Sequence, residues 1–83
     1  MERQEAFTQV VDILRPFVKN EDALTNANED TSILDDLQVN SARLVDIILA
    51  MEDTFDIEVD DDSADNVRTL KDAVELILSK TTH

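Results

Sequence analysis

The sequence predicts a small all-α bundle of three long helices and one short one, with a long first connection. Three observations predict it. Apolar residues recur at i, i+3, i+4 and i+7 in three separate stretches, the spacing that lines one helix face. Residues suited to helix starts stand before the second and third stretches. No stretch alternates apolar and polar residues as a half-buried strand would. The length, 83 residues, allows one small core and no second.

The first helix rests on Phe7, Val10, Val11, Leu14, Phe17 and Val18. Pro16 clashes with the carbonyl four residues back and disfavours helical geometry at Arg15. The helix is expected over 3–15 or 3–18, kinked or ended near Pro16. Lys19 to Asn40 is rich in Asn, Asp and Thr and predicts a long loop. Loops beyond about 12–15 residues are usually functional or tied down; Leu24, Ile33, Leu34, Leu37 and Val39 are the expected tethers.

The second helix is expected from Asn40–Ser41, either of which can cap it, to about Asp56, with Leu44, Ile47, Ile48, Met51 and Phe55 inward. One short turn is expected near Asp61–Asp65, with Val59, Ala64 and Val67 pointing in. Thr69-Leu70-Lys71-Asp72 spells a capping box before the last helix, whose inward face is Leu70, Ala73, Val74, Ile77 and Leu78.

Composition excludes several functions. The chain has no glycine, so glycine-rich phosphate loops cannot be built. It has no cysteine, which removes disulfides, thiolate metal sites and thiol nucleophiles. The single histidine, His83, is the last residue, leaving a serine triad without a base. Twenty acidic against seven basic residues give a net charge of −13, which opposes binding to nucleic acid and to anionic membrane surfaces. Met1 to Phe7 lacks the apolar core of a signal peptide, and the apolar run Ile47 to Met51 is far shorter than the roughly 20 residues of a membrane span. A cytoplasmic monomer is expected.

Asp61, Ser63, Asp65 and Asp72 echo the spacing of a calcium-binding loop. Asn66 stands at its glycine position and Asp72 belongs to the capping box, so no metal site is assigned. Paired-carboxylate catalysis is not assigned either, because nothing predicts a cleft that would separate two pKa values.

The second helix holds more apolar residues than one face needs. Ala42, Val45 and Leu49 form an outer stripe bordered by Asp46, Glu52, Asp53 and Asp56. A helix apolar nearly all round is either fully buried or uses its second face for a partner, and full burial is difficult in so short a chain.

The stretch LDDLQVNSARLVDIILAMEDTFDIEVDDDSADNVRTLKDAVELI, Leu34 to Ile77, resembles the acyl carrier protein family in register and without gaps. That family has a loop ending in Asp-Ser-Leu, a helix of the type LVEIVMALEEEF, an acidic segment, and a capped helix containing Asp-Ala-Val. The matching parts here are Asn40-Ser41-Ala42, Leu44 to Phe55, Ile57 to Asp61 and Thr69 to Ile77. Glu2 to Val18 also fits the family's first helix. The resemblance implies an acyl-carrier-protein-like four-helix bundle with a short third helix, residues 1–83 forming a single carrier domain.

The resemblance further implies that Ser41 receives 4'-phosphopantetheine from coenzyme A through a holo-acyl-carrier-protein synthase. An acyl, aminoacyl or polyketide group would then travel as a thioester to enzymes of lipid or secondary-metabolite biosynthesis, with no catalysis by the carrier. A phosphodiester at a helix start would meet free N–H groups and the positive end of the helix dipole. Ala42, Arg43, Val45, Asp46, Leu49, Glu52 and Asp53 are the expected docking residues for enzymes with basic grooves, Glu52 and Asp53 pointing to solvent. Ile47, Ile48, Met51, Val67 and Ala73 are the expected lining of an acyl-chain pocket. The chain departs from the family pattern at Gln38 (usually glycine), Asn40 (aspartate), Ala42 (leucine) and Arg43 (acidic or neutral). These changes point to a specialised carrier with its own partners. The residues alone also allow an unmodified acidic interaction module docking through the same helix.

Overall fold

The computed structural model describes residues 2–81; His83 lies outside them. Helix α1 spans Arg3–Leu14, α2 Glu21–Thr25, α3 Ser41–Phe55, α4 Asp61–Asp65 and α5 Leu70–Thr81. The three long helices and the short fourth stand where the periodicity puts them. Helix α1 packs against α5 and, less extensively, against α3. Their inward residues form one core that includes Val10, Leu14, Ile47, Met51, Leu70, Val74 and Ile77, all at most 1% exposed. No described helix is long and apolar enough to cross a membrane.

Helix α1 ends at Leu14, and the proline is accommodated in a 3-10 turn, Arg15–Phe17. The Val18 amide still reaches the Leu14 carbonyl at 3.1 Å, which carries the chain smoothly out of the helix.

The long connection is more structured than its composition predicts, because it holds α2. Asn20 caps that helix by accepting the Asp22 amide at 3.0 Å, Glu21 and Asp22 face the positive end of its dipole, and Leu24 is buried. An Asn followed by two acids and a lone leucine is the local signal for it. Of the five expected tethers, Leu24, Ile33, Leu37 and Val39 are buried, whereas Leu34 is 36% exposed. Leu34 sits beside buried Ile33 in a chain of turns and points the other way.

The loop is tied to α5 by backbone pairing. Ser32 and Thr69 form an isolated antiparallel bridge, with the Ile33 amide donating to the Arg68 carbonyl at 2.9 Å. The first turn of a helix leaves its amides unpaired, and here each finds a partner. Leu70 donates to the Thr31 carbonyl at 3.1 Å and Lys71 to that of Glu29 at 2.9 Å. Asp72 donates to Thr69 Oγ1 at 3.2 Å, while Asp72 Oδ2 accepts the Arg68 and Thr69 amides at 3.1 Å each. The capping box therefore forms as the sequence predicts. At the far side Arg3 joins three segments, its Nε donating to Glu29 at 2.6 Å and its Nη2 lying 3.9 Å from Glu75.

Candidate functional site

Ser41 opens α3 but does not cap it. The cap is Asn40, whose Oδ1 accepts the Ala42 amide at 2.8 Å. Of the two capping candidates the structure selects the asparagine, which leaves the exposed Ser41 hydroxyl to solvent at the first helical position. The turn before it is tight: Gln38 takes a left-handed conformation with φ of 54°, a region where a side chain costs energy and glycine does not.

Ser41 borders a groove of about 760 Å³. Its apolar wall is Leu34, Leu44, Val45, Ile48, Leu49, Val59, Ala64 and Val67; Asp35, Asp61, Asp65 and Arg68 lie along its polar edge. Loop, α3 and the α4 region each supply one side. Of the five residues expected to line an acyl pocket, Ile48 and Val67 reach this groove. Ile47, Met51 and Ala73 are at most 1% exposed and belong to the core between helices. Periodicity marks them as apolar without saying which neighbour they meet. Leu34, Val45 and Leu49 are the three exposed large hydrophobic residues among those described, at 36%, 60% and 54%, and all three border the groove. Leu34 was legible only as apolar; its outward direction comes from the loop's path.

The expected docking residues divide. Ala42, Arg43, Val45, Asp46, Leu49 and Asp53 are exposed along α3. Arg43 Nη1 and Asp46 Oδ2 lie 3.5 Å apart, so these two charges largely cancel. Glu52 corrects the expectation that it points to solvent: it is half-buried, and its Oε2 accepts the Val59 amide at 3.0 Å. Past the left-handed C-cap at Asp56, φ 54°, the chain turns back along the helix. The Glu52 carboxylate is the acceptor within reach of the returning amide.

At the start of α4, the carboxyl of Asp60 is held below its ordinary 3.8 by the Ser63 hydroxyl and then the Ser63 amide, with a smaller pull from Lys80. The amide lies at 2.9 Å. Among the described residues no three acidic or histidine side chains group closely enough to hold a metal ion.

Against known proteins, residues 9–77 match the sequence model of the PP-binding family, described as a phosphopantetheine attachment site. The chain is 36% identical over 80 residues to an acyl carrier protein of Lactobacillus acidophilus, covering 95% of this chain and 96% of that protein. It is 44% identical over 52 residues to that of Desulforapulum autotrophicum, covering 63% and 68% respectively. The solved structure of an acyl carrier protein from Enterococcus faecalis superposes with a TM-score of 0.78 at 29% identity, covering 96% of this chain and 99% of that one. These likenesses do not favour the unmodified interaction module. With the family match spanning most of its length and a relative aligned nearly end to end, the chain belongs to the acyl carrier proteins of the phosphopantetheine-attachment family, carriers rather than enzymes.

Proposed function

We propose that Ser41 is the attachment residue and that the whole chain, residues 1–83, works as a single carrier domain. The observation that carries this reading is the division of labour at the start of α3. Asn40 does the capping, so the serine hydroxyl is exposed and uncommitted at the positive end of the helix dipole, which suits a phosphodiester. The residues present fit the group. Ser41 Oγ would form the new bond to the pantetheine phosphate of coenzyme A, 3',5'-adenosine bisphosphate would leave, and the hydroxyl proton would pass to a base of the holo-synthase. Bound there, the arm supplies a thiol that holds an acyl group as a thioester.

The groove beginning at Ser41 is apolar enough to shelter part of a fatty acyl chain, whereas burying an aminoacyl ammonium group there would be costly. That favours an acyl or polyketide cargo. Loading and transfer enzymes would dock along the exposed face of α3. Individual exposed ion pairs contribute only about 0–1 kcal/mol, which suits a carrier that must leave each enzyme after one step. We place the carrier in the cytoplasm as a monomer, where coenzyme A is available to a synthase. The Asn40-Ser41-Ala42 sequence supports a specialised carrier rather than the general fatty-acid one.

Intact mass after incubation with coenzyme A and a broad-specificity holo-synthase tests the assignment. The protein should gain one phosphopantetheinyl group and Ser41→Ala none. Labelling at Ser32, Ser63 or Ser79 instead would overturn it.

A further inference from the structure

The charges of α3 are divided along its length. Its first two turns hold Arg43 and Asp46, 3.5 Å apart, with side chains 67% and 50% exposed. Its last turns hold Glu52, already bonded to the Val59 amide, and the exposed Asp53. Along α3 itself the end next to Ser41 is thus neutral in sum with a guanidinium as its most exposed charge, and the helix's freely presented acid lies at the far end; Asp35, Asp61 and Asp65 border the groove from outside the helix. Leu34, Val45 and Leu49 form the apolar surface between.

Helix stability does not explain Arg43. The first turns of α1, α2, α4 and α5 each carry acid; α3 carries none. Its third residue is instead a cation facing the positive end of the dipole, in a chain with 20 acidic and 7 basic residues. An exposed Arg–Asp pair contributes about 0–1 kcal/mol, close to what an adverse dipole takes back. The guanidinium brings the isolated chain little, and it stands two residues from Ser41 on the face that meets partners.

We propose that Arg43 is a specificity-determining residue for docking, matched by a carboxylate on the partner enzyme beside an apolar seat for Leu34, Val45 and Leu49. The partner's cations then face the Asp53 end. Enzymes whose docking groove is cationic throughout meet less attraction at the serine end than an acid at position 43 would give, so the charge selects partners mainly by weakening the wrong ones. The inference rests on Ser41 as the attachment residue.

A holo-synthase with an all-cationic docking groove is the probe, and the initial rate of phosphopantetheinylation at low salt is the readout. Arg43→Glu should react at least fivefold faster than the natural chain and lose more of its rate as salt is raised. Arg43→Met should fall between the two. Lys19→Glu, an equal change of charge at an exposed residue away from the groove, should stay within twofold of the natural chain. Equal or slower modification of Arg43→Glu, or equal acceleration by Lys19→Glu, overturns the inference while leaving Ser41 in place. Failure of every variant, the natural chain included, overturns the Ser41 reading and this inference with it. Circular dichroism and urea denaturation of each variant separate a docking effect from loss of fold.

Discussion

The carboxylate of Glu52 accepts the backbone amide of Val59 at 3.0 Å, which makes an apparent surface acid part of the fold. The bond closes the turn between α3 and α4 and so holds the wall of the groove that Val59 contributes. A charge placed seven residues before its partner therefore acts on the shape of the site as well as on its electrostatics.

Substitution at Glu52 and Asp53 should accordingly have different consequences. Glu52→Lys removes the acceptor from a half-buried amide and should cost about 1–2 kcal/mol, since hydrogen bonds to charged groups contribute about 1.5–3 kcal/mol and this one is partly solvated. Asp53→Lys, exposed, should lie within about 0.5 kcal/mol of the natural chain. Urea denaturation measures both. Equal midpoints for the two variants would show that the Val59 bond contributes nothing, and docking experiments should use Asp53 as the clean charge reversal.

Gln38 tests the turn before Ser41. Its φ of 54° is left-handed, a conformation costing a side-chain-bearing residue about 1–2 kcal/mol relative to its favoured regions. Part of that gain is offset because glycine loses more freedom on folding. Gln38→Gly should stabilise the protein by about 0.5–1 kcal/mol, read as a higher urea midpoint at an unchanged denaturant slope. A lower midpoint would mean that the glutamine side chain holds the turn by a contact that outweighs the backbone strain.

Asp60 predicts an acid dependence. Because Ser63 lowers its folded pKa from the ordinary 3.8, the folded chain releases this proton more readily than the unfolded chain. The stability it contributes is fully present above about pH 4 and is lost as the pH falls through the folded value. The natural chain should be more stable than Asp60→Ala at neutral pH, and the gap should narrow as the pH falls below 3.8 and through the folded value. A gap that stays constant to the acid limit would assign the effect to helix capping in general rather than to the charge.

The groove predicts a dependence on cargo length. Each methylene taken out of water contributes about 0.8 kcal/mol, and about 1 kcal/mol moves the melting temperature of a domain this size by roughly 4–8 °C. An octanoyl load that places one or two methylenes in the groove should therefore raise the melting temperature above that of an acetyl load by several degrees. Ala64→Trp, a bulky side chain on the groove wall, should remove the difference. Identical melting temperatures for short and long loads in the natural chain would show that the acyl group stays outside.

Local rules were enough for the helices. Apolar residues at helical spacing, Pro16 as a stop and the Thr69–Asp72 box act within a few residues of chain, and α1, α3, α4 and α5 stand where those rules put them. The gapless register from Leu34 to Ile77 likewise identified the family before any geometry was known. Local rules failed where a residue's partner is distant in sequence. Leu34 and Ile33 are both apolar, and only the pairing of the loop with Arg68 and Thr69 turns one inward and the other out. Ile47 and Ile48 are adjacent and equally apolar, yet only Ile48 borders the groove. Glu52 reads as one more acid on an acidic helix until Val59 returns to it. Helical period, caps and charge depend on neighbouring residues and are written in order along the chain. The lining of a groove depends on which distant backbone amides and carbonyls satisfy one another, and that is settled only when the helices pack.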